Sequence, residues 1–173
     1  MSIWARDNGG PRLRLQLLAY PVTDAVARAE SYRRYEDGYG LNAATMEWFF
    51  DHYTPDKGAR GDWRVSPLRA KNLAGVAPAV ITTAWFDPLR DEGALYADTL
   101  IRAGVSVKYH PGEGLIHGYF GLADASDTAR AEAQRARGQP ADGVVAMAAR
   151  QLADPGPVHL RIRGAEDEHD VGQ

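Results

Sequence analysis

The sequence predicts an α/β protein built on a parallel sheet, and three observations support that fold class. Three apolar runs, at residues 13–20, 77–86 and 105–109, have the length of strands. The first run loses its polar alternation and the second is apolar and rich in threonine, which is typical of parallel strands covered on both faces. Segments with helical spacing separate the runs, as the crossovers of a parallel sheet require. We therefore expect about three parallel strands flanked by helices.

The first crossover divides into an irregular insertion, residues 22–40, and a helix over residues 43–53. Asn42 is placed to cap that helix. Its apolar side chains cover nearly every side, which predicts burial between two layers. They are Met46, Trp48, Phe49, Phe50 and Tyr53. Because aromatic side chains are placed mainly by burial, we expect them to be core rather than part of a ligand site.

The second crossover predicts one helix with recognisable ends. Asp87 is suited to its N-cap and Pro88 to its first position. The helix should end near Ala103, with Gly104 forming a left-handed cap.

Helical patterns return at residues 127–137 and 144–152. Proline, glycine and an acidic cluster then interrupt the pattern, so we expect residues 154–173 to form a mobile acidic tail. The predicted domain therefore spans residues 1–153.

Composition argues against several classes of protein. The 173 residues carry a net charge of −3 with both signs interspersed, which leaves no basic stripe for nucleic acid or anionic lipid. The absence of cysteine removes disulfides and zinc thiolate sites, and the histidines lack metal-ligand spacing. No apolar run approaches the roughly 20 residues that span a bilayer, and no apolar signal core opens the sequence. We expect a cytoplasmic protein without a metal, a nucleic acid partner or a membrane span.

An acid and a histidine follow successive predicted strands. Asp87 comes directly after the second run, and His117 follows the third run and a glycine-rich loop at residues 110–114. Helix capping explains Asp87 taken alone, and a lone loop histidine is usually structural. Together they have the order, acid before histidine, of a hydrolase triad. We expect the Asp87 carboxylate within about 2.6 to 3.2 Å of a His117 ring nitrogen.

Five regions of the sequence, in this order, carry a resemblance to a known family. They are LAYPVTD at 18–24, GYGL at 38–41 with MEWF at 46–49 and DHY at 51–53, RVSPL at 64–68, FDPLRDEG at 86–93, and IHGYF at 116–120. In order and spacing they resemble the bacterial hormone-sensitive-lipase-like (family IV) carboxylesterases, a branch of the α/β-hydrolase fold. The resemblance runs from residue 4 to residue 152. It corresponds to the C-terminal part of that fold, lacking the N-terminal strands.

The resemblance implies hydrolysis of short- to medium-chain carboxylic esters, which are small-molecule substrates, without a metal or organic cofactor. In that scheme Asp87 orients His117, and His117 acts as general base on a serine and then as general acid on the leaving alcohol. Residues 22–60 contribute to the cap over the acyl pocket, so the resemblance implies, as an alternative to a core role, that some of the aromatic side chains of the predicted helix line that pocket.

The sequence departs from the family at the nucleophile. It has no Gly-x-Ser-x-Gly elbow and no His-Gly-Gly-Gly segment for the oxyanion hole. None of its five serines has the elbow context, and two of them, Ser2 and Ser126, are predicted to lie in mobile segments. We expect a truncated esterase-like chain that is inactive alone. The alternative is a non-catalytic module for binding or oligomerisation.

Truncation has a physical consequence for the strand at residues 13–20. It would lack the neighbour that the whole fold provides, leaving unpaired backbone groups beside apolar side chains. We therefore expect the isolated chain to be a homo-oligomer, or to be marginally folded and prone to aggregate.

Overall fold

A three-stranded parallel sheet lies at the centre of the computed structural model, which describes residues 1–138. The strands are β1 (Gln16–Ala19), β2 (Ala79–Thr82) and β3 (Val107–His110), in the order β1-β2-β3. All four residues of β2 are buried, as expected of a central strand of alanine, valine, isoleucine and threonine. The predicted α/β class with three parallel strands is confirmed. Each strand is shorter than the apolar run that predicted it.

Five α-helices accompany the sheet within the described part of the chain: α1 (Ser2–Asp7), α2 (Glu30–Arg34), α3 (Ala43–Tyr53), α4 (Arg90–Arg102) and α5 (Asp127–Arg137). The predicted bounds of α3 and α5 are confirmed. The Asn42 side chain accepts a hydrogen bond from the Thr45 amide at 2.7 Å, which fixes the first turn of α3. Gly104 follows α4 with a φ of 78°, the predicted left-handed cap.

The first crossover differs from its prediction in two ways. Helix α2 lies inside the segment predicted to be irregular, because its five residues are too few to show a helical period. Helix α3 is not buried on all sides. Met46 and Phe50 are buried against Ala25, Tyr32 and Leu89, whereas Trp48, Phe49 and Tyr53 are 55%, 48% and 75% exposed. Only one face of α3 packs against this core cluster, and the periodicity of a helix cannot show which faces have partners.

The main core lies around the sheet and α4. Ile81 from β2 and Val107 from β3 pack with Tyr96 and Leu100 from α4. A smaller cluster joins Ala84, Leu115 and Tyr119 to Ala129 of α5. The two clusters hold the segments after β2 and β3, from which Asp87 and His117 arise.

Strand β1 forms an edge of the sheet within residues 1–138, since β2 is its one neighbour there. Leu17 is 46% exposed, and Leu15, Leu18 and Tyr20 are only partly buried. The exposure agrees with the predicted loss of cover along this strand.

The predicted helix at 144–152, the boundary at residue 153 and the predicted tail at 154–173 lie outside the described residues. Within residues 1–138, no helix has the length and apolar character needed to cross a membrane.

Candidate active site

A single backbone bridge brings the predicted acid and histidine together. Beyond the ends of β2 and β3, Phe86 and Ile116 form an isolated parallel bridge. Asp87 directly follows Phe86 in the chain, and His117 directly follows Ile116. Asp87 Oδ2 and His117 Nδ1 are 2.8 Å apart, so the predicted contact is confirmed.

The Asp87 carboxylate is completely buried, and each of its oxygens has a partner. Oδ2 faces His117, while Oδ1 accepts a hydrogen bond from the Leu89 amide at 2.9 Å. A buried carboxylate requires such partners because water no longer solvates it. With Asp87 as acceptor, the imidazole proton lies on Nδ1, and Nε2 has a lone pair for proton transfer.

Asp87 does not occupy the predicted N-cap position. Helix α4 begins at Arg90, and Leu89 is its N-cap. Asp87 Oδ1 still accepts a hydrogen bond from the amide two residues on, as a capping side chain does, but this bond and Pro88 belong to a turn that precedes the first residue of α4.

Tyr20, which the sequence analysis did not single out as a site residue, packs against His117. Their ring centroids are 4.7 Å apart, with the planes inclined at 50°. The Tyr20 hydroxyl accepts a hydrogen bond from the Phe120 amide at 2.9 Å. The one sequence signal for this placement is that Tyr20 stands at the carboxyl end of a parallel strand, the edge at which open α/β sheets bind ligands.

An apolar cavity of about 470 Å³ opens beside His117. One wall comes from α3, including Phe49, Phe50 and Tyr53, and the opposite side includes Tyr20 and Leu89. No lining side chain is an acid, a lysine or an arginine. Phe49 and Tyr53 are largely exposed and line this cavity, so they are not the core residues that the helical pattern predicts, and their position agrees with the alternative that the family resemblance implies.

A larger cavity of about 770 Å³ lies elsewhere, between α1 and the segments that precede β1 and β2. It is at the amino ends of the strands, whereas Asp87 and His117 are at the carboxyl end. Its size therefore does not connect it with the acid and histidine pair.

The serines of the chain have structural roles or positions away from His117. Ser2 and Ser126 are not in the predicted mobile segments: Ser2 is buried in α1, and the Ser126 side chain caps α5. Ser106 immediately precedes β3, at the amino end of the sheet. The remaining two are buried and donate to backbone carbonyls, Ser31 to Pro88 at 2.5 Å and Ser66 to Arg60 at 2.6 Å.

Glu92 is a buried acid that supports the loop after β1. Its Oε1 accepts hydrogen bonds from the Thr23 amide at 2.6 Å and the Asp24 amide at 3.3 Å. Burial raises the pKa of Glu92 from 4.5 to about 7, and these amides only partly offset that effect. The nearby Tyr32 hydroxyl favours the charged form, although no hydrogen bond joins it to the carboxyl.

Metal ligation has no obvious place in the described region. Residues 1–138 contain no group of three or more histidine, aspartate and glutamate side chains that could hold an ion.

Comparison with known proteins connects this arrangement to ester hydrolases. A family model described as the alpha/beta hydrolase fold matches residues 1–121, which include Asp87 and His117. A carboxylic ester hydrolase of Mycobacterium tuberculosis, LipN, is 43% identical over 119 residues, or 68% of this chain and 32% of that protein. An ethyl acetate hydrolase of Pseudomonas putida is 43% identical over 107 residues, or 62% of this chain and 34% of that protein.

Solved structures agree. A thermostable esterase from Pseudomonas putida has a TM-score of 0.74 at 43% identity, covering 78% of this chain and 44% of that one. A thermophilic carboxylesterase from a metagenomic library, EstE1, has a TM-score of 0.75 at 30% identity, covering 83% and 49%. The chain thus spans about a third of these curated relatives and less than half of these structures. By sequence and by fold, the chain belongs to the alpha/beta hydrolase family, in the branch of bacterial carboxylesterases that resemble hormone-sensitive lipase.

Proposed function

We propose that this chain supplies the acid and the histidine of a serine carboxylesterase. The nucleophilic serine and the oxyanion hole come from a segment outside these 173 residues. The observation that carries the proposal is the 2.8 Å contact between a fully buried Asp87 and a partly exposed His117. A general base needs an acceptor that orients it and access for its second nitrogen, and this pair has both.

The chemistry follows from the two nitrogens of His117. Asp87 holds the Nδ1 proton and stabilises the imidazolium as it forms. Nε2 removes the proton of a serine hydroxyl while the serine oxygen attacks the ester carbonyl. The same proton then passes to the leaving alcohol, and an acyl-serine remains. Water repeats the sequence, which releases the carboxylic acid and restores the serine.

The substrate class is a small ester with an apolar acyl group of short to medium length. The cavity beside His117, at about 470 Å³, falls within the usual range of small-molecule sites, and its lining is apolar and aromatic. We assign residues 22–60 to the cap over this cavity, since α3 supplies one of its walls.

The isolated chain is inactive in this proposal. The five serines have other roles or positions, and no Gly-x-Ser-x-Gly elbow presents one of them to Nε2. Backbone donors for the developing oxyanion are also required, because losing one such donor typically costs on the order of 10²- to 10³-fold in rate.

The exposed edge of β1 favours a second candidate, a non-catalytic module that uses the fold to bind a partner or to form an oligomer. The DNA immediately upstream of the coding sequence distinguishes the two functions. A reading frame that encodes a serine elbow supports the esterase. A promoter and ribosome-binding site without such a frame supports the module.

The first assay uses the purified chain with p-nitrophenyl butyrate. We expect hydrolysis no faster than that of His117→Ala or Asp87→Asn, because all three proteins lack the nucleophile. Hydrolysis that is lost in those variants would show that the chain has a nucleophile of its own.

The second assay fuses the chain behind the front half of the related Pseudomonas putida esterase, which provides a serine elbow. We expect the fusion to hydrolyse the ester. Both His117→Ala and Asp87→Asn should lower kcat by about 10³- to 10⁴-fold, since members of a triad act as a unit. Glu113→Gln, at an exposed acid in the loop before His117, is the matched control. If the fusion is active and its kcat is unchanged by Asp87→Asn and by His117→Ala, the roles assigned to these two residues are refuted.

A further inference from the structure

We infer that Tyr20 is a positioning residue for His117, an inference that rests on the proposed function. The Tyr20 ring holds the imidazole from the side of β1, and its hydroxyl holds the backbone that follows His117. Three independent features of the structure support this role.

The first feature is the placement of the rings. The Tyr20 ring lies 4.7 Å from the His117 ring, and its other neighbours are Tyr119 at 5.2 Å and Phe120 at 5.5 Å, both edge to face. These distances fall in the range of favourable aromatic pairs. Tyr119 is completely buried, so the ring that touches His117 is itself held by the core.

The second feature is the hydroxyl. It accepts a hydrogen bond from the Phe120 amide at 2.9 Å, joining two residues that are 100 positions apart in the chain. Between His117 and Phe120 the backbone turns through Gly118, whose φ of 79° is left-handed. The Tyr20 hydroxyl therefore secures the far side of the turn that carries the imidazole. Burial and the nearby Asp87 charge raise the pKa of Tyr20, which keeps the hydroxyl neutral.

The third feature is the backbone of Tyr20. Its φ is 39°, and it is the one non-glycine residue within residues 1–138 that has a positive φ. Such a conformation persists only when surrounding contacts determine it, and strained residues of this kind cluster at active sites and ligand-binding sites. Here the Tyr20 amide donates to the Thr82 carbonyl at 2.7 Å, which keeps Tyr20 aligned with β2. The amide bond to Thr82 and the hydroxyl bond to Phe120 thus hold the Tyr20 ring in one place against His117.

The test uses Tyr20→Phe and Tyr20→Leu in the active fusion and in the chain itself. Tyr20→Phe keeps the ring and removes the acceptor for the Phe120 amide. We expect kcat to fall about threefold to tenfold, the effect of one net hydrogen bond, while KM changes by less than about twofold. Tyr20→Leu also removes the ring, and we expect kcat to fall by about 30- to 100-fold because a misplaced general base loses most of its effect.

The second measurement is the NMR spectrum of the 173-residue chain, which reports the His117 pair without turnover. In the unmutated chain the Nδ1 proton held by Asp87 should give a downfield signal. We expect Tyr20→Phe to speed exchange of the Phe120 amide with solvent and Tyr20→Leu to broaden the Nδ1 signal. Tyr96→Phe, which removes the hydroxyl of a buried tyrosine on α4, should alter neither signal nor kcat.

The outcomes separate this inference from the proposed function. An active fusion whose kcat and Nδ1 signal survive both Tyr20 substitutions would overturn the role of Tyr20 and leave the esterase proposal standing. An inactive unmutated fusion would overturn the esterase proposal, and the NMR measurement would still decide whether Tyr20 positions His117. If Tyr20→Leu does not fold, Tyr20→Phe decides alone, since its ring still fills the same space.

Discussion

Glu92 should give this protein a pH-dependent stability near neutrality. Its pKa is raised from 4.5 to about 7 in the folded chain, so the folded state binds the proton more tightly than the unfolded state. The resulting stabilisation is complete below about pH 4.5 and is lost as the pH rises through about 7. In the unmutated chain, this carboxyl should lower the free energy of unfolding by on the order of 3 kcal/mol as the pH rises from about 4.5 to above 7. Glu92→Gln should remove that decline.

Urea unfolding at a series of pH values measures this effect. Glu113→Gln, at an exposed acid, is the control and should leave the pH dependence unchanged. A Glu92→Gln protein that loses stability with pH as steeply as the unmutated chain would mean that Glu92 is already charged at low pH.

At the residue scale, the sequence was sufficient to predict the contact between Asp87 and His117, but it did not predict the contacts of Tyr20. The first two follow neighbouring parallel strands, and the carboxyl ends of such strands meet at one edge of the sheet. The position of Tyr20 is fixed by a hydrogen bond from the Phe120 amide and by an unusual φ of 39°. No periodicity or spacing reveals contacts between residues so far apart in the chain.

At the scale of elements, the loop between β3 and His117 depends on one close approach. Gly112 has a φ of 59°, and a Cβ atom there would lie 2.2 Å from the Thr83 carbonyl oxygen. Gly114, in the same loop, has a φ of 73° but open space around its Cα. Gly112→Ala should therefore lower the free energy of unfolding by about 2 to 4 kcal/mol, and Gly114→Ala by about 1 to 2 kcal/mol.

Urea denaturation measures the free energy of unfolding of both variants. Gly112→Ala introduces a steric clash at a position of positive φ, whereas Gly114→Ala introduces only a side chain at a positive φ. Equal losses would show that the contact with Thr83 relaxes without cost. Gly112→Ala should also shift the amide signals of Leu115 and Trp85, because both donate hydrogen bonds to the Gly112 carbonyl.

The bounds of helix α3 were predictable from the sequence, but its burial was not. Its bounds were predictable from Asn42 and the helical period, since both are local properties. Its burial was not, because a helix that is apolar on every side has the same sequence whether each face meets protein or a cavity. Phe49 and Tyr53 line the cavity, whereas Trp48 is 55% exposed and does not line it, so the exposure of each side chain depends on what lies beside it in the fold.

At the scale of the whole molecule, β1 should control association. Its outer backbone groups have no strand partner within residues 1–138, and Leu17 is 46% exposed beside them. Unprotected edges of this kind favour pairing between chains, and a lysine on the edge discourages it. We expect the mean mass of the unmutated chain to rise with concentration, and Leu17→Lys to shift it toward the monomer.

Light scattering combined with thermal unfolding tests this expectation. Leu95→Lys is the matched control, because Leu95 is 52% exposed but lies on α4, away from the edge. A monodisperse monomer with a sharp transition at high temperature would show that the chain is a self-sufficient domain. That result would favour a module that binds a partner as a monomer, and it would argue against both the esterase fragment and a module that forms an oligomer.

The bridge between Phe86 and Ile116 also bears on the order of folding. Strand β2, helix α4, strand β3 and the bridge belong to one continuous stretch, and the Asp87–His117 contact closes a loop of only 30 residues. Contacts between residues close in sequence form faster than distant ones, because less chain entropy is lost before they are made. We expect the acid and histidine to meet while this unit assembles, before β1 docks from a more distant part of the chain. His117 would then meet Asp87 before the sheet is complete, and the contacts of Tyr20 with His117 and Phe120 would form only when β1 docks.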